Sequence, residues 1–197
     1  IETLLEKGEA DKIHTLVAKL NADGLIVHVN PFQEWLQPEG DHFRNSPLET
    51  IQKLLELVDY QIIVKEVGQG MGPESIKALL KLPIAALDFG AYGGTNFSRL
   101  ELLRSSQQHA SLYRDLAYIG HTAVEMTGFV NAAVDTLGAD LKCKEVIISG
   151  GIGGFLDGYY GMEKVVLNSI YGQGSAFLKP AQQDYQALKT YIESQRE

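Results

Sequence analysis

Apolar periodicity along this chain switches back and forth between helical and strand spacing, and that alternation restricts the fold more than any single motif. Leu4, Leu5, Ile13, Leu16, Val17 and Leu20 recur at helical spacing. The turn Asn21-Ala22-Asp23-Gly24 follows, then Leu25-Ile26-Val27-His28-Val29-Asn30. Such a short β-branched run reads as a strand buried on both faces. The pattern repeats: helix over 48–58, strand over 62–67, helix from 73 to about 81, strand over 84–88. It continues with a helix over 122–137, a strand over 146–149, a helix near 162–167, a strand around Ile170 and a closing amphipathic helix over 182–194. Alternating helix and strand predicts a parallel sheet with crossover helices. Five such strands fit an open sheet, or part of a (β/α) barrel, which needs eight and would leave three units absent. The widest gap, between Asp88 and Val146, has room for two helical segments, one of them inserted.

Composition narrows the function classes. With 25 acidic and 17 basic side chains among 197 residues, the formal net charge is -8. Broad nucleic-acid binding needs a basic surface, so no nucleic-acid partner is expected. The 45% hydrophobic content suits a globular chain rather than an acidic disordered tail. The lone Cys143 excludes an intrachain disulfide and a cysteine zinc site, and fits a reducing, cytoplasmic setting. No apolar run approaches the roughly 18–20 residues that span a bilayer, so no membrane partner is expected. The chain opens on Ile1 within a helical pattern, and the expectation is that further sequence lies upstream.

Chemistry concentrates where the strands end: His28 and Asn30, Lys65 and Glu66, Asp88, and Ser149-Gly150-Gly151. In parallel α/β folds, ligands lie at the carboxyl ends of the strands. The richest stretch is His28-Val29-Asn30-Pro31-Phe32-Gln33-Glu34-Trp35-Leu36-Gln37-Pro38-Glu39-Gly40-Asp41. Alternation places His28 and Asn30 on one face, Pro31 ends pairing, and Gln33-Glu34 follow in the loop. A carboxylate beside an amide can hold Mg²⁺ and a phosphorylated substrate; the same residues also suit a polar loop with a satisfied histidine. Lys65, in an apolar strand, either pairs with Glu66 or a neighbouring carboxylate or reaches an anionic ligand. Glycines cluster at Gly90-Ala91-Tyr92-Gly93-Gly94-Thr95 and Gly150-Gly151-Ile152-Gly153-Gly154, with Gly174-Ser175 near the last strand's end. Glycine turns expose backbone N–H groups to which phosphate can dock. Neither cluster is followed by Gly-Lys-Ser/Thr.

These residues together resemble type 2 isopentenyl diphosphate isomerase, an FMN-dependent barrel family. The 28–41 block looks like that family's signature. Val64-Lys65-Glu66-Val67-Gly68, Gly70-Met71-Gly72, Asp88 with Gly93-Gly94-Thr95, and Ser149-Gly150-Gly151-Ile152 resemble its later strand ends in order, and Ala176-Phe177-Leu178-Lys179 its closing segment. The resemblance implies an α/β fold of the (β/α)8 TIM-barrel type, present as about the last five βα units in one partial domain over 1–197. It implies reversible isomerisation of isopentenyl to dimethylallyl diphosphate with reduced FMN, Mg²⁺, and NADPH to reduce the flavin. Gln33, His28 and Asn30 would be the catalytic and substrate-binding residues, with His28 and Asn30 on the diphosphate side, and Glu34 would bind Mg²⁺. FMN would be held by Lys65, Gly90, Thr95, Gly151, Ile152, Gly153, Gly174 and Ser175. Gly90 stands where many members carry Ser or Ala, and Gly153 where an arginine is common. The expected partner is a small diphosphate, and the expected assembly a homo-oligomer. Another FMN barrel oxidoreductase would share the glycine clusters and Lys65 without needing Gln33-Glu34. An inert half-barrel is the reading without catalysis.

Overall fold

The computed structural model describes residues 1–40 and 43–195. Asp41, which closes the signature block, lies outside the described residues. Five strands form one sheet: β1 (Gly24–Val29), β2 (Gln61–Glu66), β3 (Ala86–Asp88), β4 (Glu145–Ser149) and β5 (Asn168–Gly172). All pairings are parallel and the order is β1-β2-β3-β4-β5. A doubly wound sheet reverses its order at a switch point. This sheet never reverses, so it is a run of consecutive barrel-type βα units.

The helices are α1 (Glu2–Glu6), α2 (Asp11–Leu20), α3 (Pro31–Leu36), α4 (Pro47–Leu57), α5 (Pro73–Leu80), α6 (Phe97–Arg104), α7 (Gln107–Tyr113), α8 (Ala123–Leu137), α9 (Phe155–Lys164), α10 (Ser175–Ala181) and α11 (Tyr185–Ser194). Their starts are written in the sequence. Ser46 and Thr122 each accept from the backbone N–H three residues on, and Glu49 and Glu125 return the bond, so α4 and α8 open on reciprocal caps. The gap after Asp88 holds α6, α7 and a 3-10 turn (Arg114–Tyr118) ahead of α8.

Several boundaries differ from expectation. The opening helical pattern is two helices, α1 and α2. The segment predicted near 162–167 starts at Phe155, because the chain turns helical as soon as the glycine run ends at Gly154. The closing helix starts at Tyr185, where Asp184 caps it by accepting from the Ala187 N–H, and α10 precedes it. Gln33 and Glu34 sit in a short helix rather than a loop, because Pro31 at the first helical position is preset for that geometry.

The core fills the space between one face of the sheet and helices α4, α5 and α8. Val64, Leu87 and Ile148 are fully buried there beside Leu54, Ile76, Leu80 and Val130. Each such side chain contributes about 1.5–3 kcal/mol of burial. The other face departs from the two-sided burial expected of parallel strands. Ile26 is 52% exposed and Ile170 is 62% exposed, on the two outer strands β1 and β5. Their register partners Ile63 and Ile147 are half-buried. The physical reason is that all the helices packed in the main core lie on one side, and among the described residues no second layer faces these isoleucines.

Candidate functional site

Strand alternation and register build a polar row on that open face. His28 lies opposite Lys65, and Lys65 opposite Asp88. Ser149, at the end of β4, joins the row by donating its hydroxyl to Asp88 Oδ1. Lys65 Nζ stands 3.6 Å from Asp88 Oδ2 and donates to the Glu66 carbonyl at 3.2 Å. Of the pairings open to Lys65, the neighbouring carboxylate is the one realised; the Glu66 carboxylate points to the helix side. There it is 6% exposed, and Oε2 accepts the backbone N–H groups of Gly68 and Gln69 at 2.7 Å and of Gly70 at 2.9 Å. Burial pushes the Glu66 carboxyl above its usual range, and the N–H groups of Gln69, Gly68 and Gly70 pull the other way.

Beside the row sits a knot of α3 and α6. Leu36 and Leu102 are buried in a small cluster with Ala117, flanked by Phe32, Ala110 and Tyr113. This packing brings Gln33 to Glu101, 68 residues away in sequence: Gln33 Nε2 donates to Glu101 Oε1 at 3.1 Å. Arg104 donates to Glu101 Oε2 at 2.6 Å and also binds Glu39. Glu101 is 2% exposed, so the carboxylate is buried with both oxygens engaged. Asn30, the residue before α3, donates Nδ2 to Glu34 Oε1 at 2.8 Å and lies 3.5 Å from Gln33 Oε1. Asn30 has therefore left the strand that His28 occupies, and its amide serves the helix. Glu101 was missed in the sequence reading. Its spacing with Arg104 resembles an ordinary surface ion pair, and only the packing of α6 on α3 buries it.

The glycine clusters meet. A cavity of about 330 Å³ is lined by Lys65, Gly90, Thr95, Gly151, Ile152, Gly174 and Ser175, among others. Of the eight residues expected to hold FMN, the exception is Gly153, whose N–H donates to Asp157 Oδ2 at 3.1 Å. The cradle depends on missing side chains. A Cβ on Gly90, at φ +49, would lie 1.9 Å from the Glu66 carbonyl oxygen, and one on Gly150, at φ +89, 2.1 Å from that of Ala91. No larger residue fits either position without moving backbone. Two larger cavities, about 580 and 550 Å³, include neither Lys65 nor Thr95. Both are lined in good part by helices, one by α4 and α5, the other by α8 and α9.

The fold and the strand-end site define five consecutive units of a (β/α) barrel with a polar, glycine-cradled mouth. Among solved structures, a mandelate oxidase mutant carrying a monooxide FMN adduct has the same architecture: TM-score 0.55 at 14% identity, covering 95% of this chain and 51% of that one. No family model matches. Curated proteins give the particular likeness. The isopentenyl-diphosphate delta-isomerase of Ignicoccus hospitalis is 31% identical over 197 residues, covering 97% of this chain and 52% of that protein. The protein of the same name from Methanococcoides burtonii is 32% identical over 150 residues, 75% of this chain and 39% of its own length. The one from Bacillus pumilus reaches 44% over 99 residues, 50% of this chain and 27% of its own length. The resemblance read from the sequence is thus borne out: the chain is similar to isopentenyl-diphosphate delta-isomerases along nearly its whole length, and spans about half of the first of them.

Proposed function

We propose that this chain is a single-domain segment of an isopentenyl-diphosphate isomerase of the flavin-dependent type, supplying the strand ends that face cofactor and substrate. The observation that carries the reading is Gln33, locked by a buried Glu101 from a helix inserted 68 residues downstream, beside the His28–Lys65–Asp88 row. A surface amide in a structural loop needs no buried, doubly bonded carboxylate behind it. The relatives' names supply the reaction.

The cavity fits FMN in kind. Its glycines leave room for a ligand close to backbone, Lys65 provides a cation, and Thr95 and Ser175 provide hydroxyls. Lys65, Gly90, Thr95, Gly151, Ile152, Gly174 and Ser175 would hold the group. When bound and reduced by NADPH, it would supply proton-transfer chemistry without net oxidation of the substrate. Glu34 would give Mg²⁺ a carboxylate oxygen, with waters and diphosphate oxygens completing the shell, as suits an ion that keeps much of its hydration. Among the described residues no group of three or more His, Cys, Asp or Glu is gathered to hold a metal, so the ion would depend on the substrate for its site.

The isomerisation adds a proton to one carbon and removes one from another, so a small apolar group must be held still between donor and acceptor. Gln33 binds and orients. Its Nε2 is committed to Glu101, which fixes the amide plane. His28 and Asn30 stand on the diphosphate side. Lys65 keeps a positive charge at the cavity wall, where negative charge on a bound group is stabilised. An FMN barrel oxidoreductase would share the fold, the glycine clusters and Lys65, but would not need Gln33 and Glu34.

The test is turnover of isopentenyl diphosphate by the intact protein that carries this segment, with FMN, a reductant and Mg²⁺, scored by dimethylallyl diphosphate formation, beside a hydroxy-acid oxidation assay. Isomerisation that stops on Gln33→Ala supports the reading. Oxidation without isomerisation would replace it.

A further inference from the structure

Arg104 carries a charge that the reaction described above leaves unused, and its guanidinium joins two carboxylates. Nη1 donates to Glu101 Oε2 at 2.6 Å, and Nη2 pairs with Glu39, 65 residues away in the turn after α3. That turn folds back on α3: the Gly40 N–H donates to the Gln37 carbonyl at 3.0 Å, and a Cβ on Gly40 would lie 1.8 Å from the Glu34 carbonyl oxygen. The Glu39 carboxylate is exposed, and exposed ion pairs contribute little. The Glu101 carboxylate is buried, and a buried charge that loses its partner is costly. The consequence reaches Gln33. An ionised carboxylate only accepts, so Glu101 takes an N–H from Gln33 and cannot meet its carbonyl. Gln33 Nε2 accordingly faces Glu101 at 3.1 Å, and Oε1 lies 3.5 Å from Asn30 Nδ2. A neutral Glu101 would have an O–H to donate and could meet either end of the amide. The cation that keeps Glu101 charged therefore decides which end of Gln33 is turned away from it.

We propose that Arg104 is a positioning residue for the isomerisation: acting through Glu101, it holds the Gln33 amide in one orientation toward the substrate. The inference rests on the reading of Gln33 as a substrate contact and adds the group that sets its donor and acceptor ends. Arginine suits the task. It stays charged, and its planar fork serves Glu39 with one nitrogen while the other stays on Glu101. The charge-assisted bond to Glu101 is the stronger kind, and it lies directly behind the amide.

The experiment uses the intact protein that carries this segment, with FMN, a reductant and Mg²⁺, and measures kcat and KM for isopentenyl diphosphate. Arg104→Met should lower kcat by about tenfold or more, because a mispositioned group costs rate. KM, and the FMN dissociation constant read by flavin fluorescence, should stay within about twofold of wild type. Glu39→Gln should leave kcat within about twofold, since that pair is exposed. Glu101→Gln, whose amide can meet either end of Gln33, should lower kcat, and adding Arg104→Met to it should cost no more than about a further twofold. Arg104→Gln repeats the test if the methionine variant does not fold. A wild-type kcat in a folded Arg104 variant overturns the proposal. So does a loss of FMN affinity in step with kcat, which marks a residue that serves only the fold. A kcat loss that Glu39→Gln reproduces, or that Arg104→Met adds in full to Glu101→Gln, overturns the route through Glu101. Unchanged turnover in Gln33→Ala removes the reading of Gln33 and this proposal with it, whereas a loss there with none in Arg104→Met removes this proposal alone.

Discussion

Replacing Glu66 tests whether a buried carboxylate shapes the mouth of the barrel. Its Oε2 holds three successive backbone N–H groups, Gly68, Gln69 and Gly70, and of these Gly70 also donates to the Gly90 carbonyl at 3.1 Å. Glu66→Ala therefore strips two N–H groups of the carboxylate and leaves the third with one partner. At about 1–3 kcal/mol for each buried donor left unsatisfied, the gross loss is roughly 2–6 kcal/mol. Relief of the desolvation that raises the Glu66 pKa offsets part of this, and a net loss near 3 kcal/mol is expected. Glu66→Gln keeps an acceptor oxygen and should cost about 1 kcal/mol. The sign of the pH effect follows from the raised folded pKa. The folded state binds more protons than the unfolded one between the ordinary value of 4.5 and the raised value. The linked stability is present in full below 4.5 and is lost as pH rises through the folded pKa. Wild type should therefore gain stability relative to Glu66→Gln as pH falls from 7 towards 5. Urea unfolding of the three proteins at several pH values reads both quantities. A difference between wild type and Glu66→Gln that does not change with pH, or a Glu66→Ala cost below 1 kcal/mol, would refute the account of this loop.

Lys65→Met should weaken FMN binding by at least about tenfold while changing stability by less than about 1 kcal/mol, because the Asp88 ion pair it removes is long and partly exposed; fluorescence titration and thermal melts check the two halves. Glu34→Gln in the intact protein that carries this segment should cut isopentenyl diphosphate turnover by orders of magnitude while leaving the fold intact, and an unchanged Mg²⁺ dependence in that variant would remove Glu34 from the metal site. Gly90→Ala should cost more than about 2 kcal/mol, since a left-handed backbone and the Glu66 carbonyl both oppose a Cβ there; a melt within two degrees of wild type would show that the turn relaxes.

The parallel sheet was legible because each apolar run is short and each is followed by a helical period; periodicity left an open sheet and a barrel segment both possible, and the unreversed order decides between them. The glycine cavity was legible for a related reason: clusters at successive strand ends must come together when the strands are neighbours. Gly153 is where that logic stopped. Asp157, in the first turn of α9, takes its N–H. The Gln33–Glu101 bond was not legible, because its second residue sits in the least periodic part of the chain and depends on how α6 lies against α3. Two-sided burial failed for the opposite reason. An apolar strand reports that both faces can be buried, and Ile26 and Ile170 show that here one of them is open.

The dipeptide Lys65-Glu66 shows how the two kinds of information combine. Read along the sequence, opposite charges in adjacent positions suggest a local pair. In an extended strand adjacent side chains point to opposite faces, so they cannot meet. Lys65 goes to the open face, where Asp88 and the cavity are. Glu66 goes to the helix face, where it binds the loop that continues the strand. What Lys65 Nζ meets of Glu66 is the backbone oxygen, to which it donates. One residue thus presents charge to the cavity while the next fixes the backbone from which the first projects. Neutralising Glu66 should then disturb ligand affinity through loop position, whereas neutralising Lys65 should do so directly. A double variant separates the two: if Glu66 acts only by placing the loop, Glu66→Gln should still weaken FMN binding by the same factor in a Lys65→Met background. A factor that vanishes in that background would mean the two residues act on the ligand as one unit.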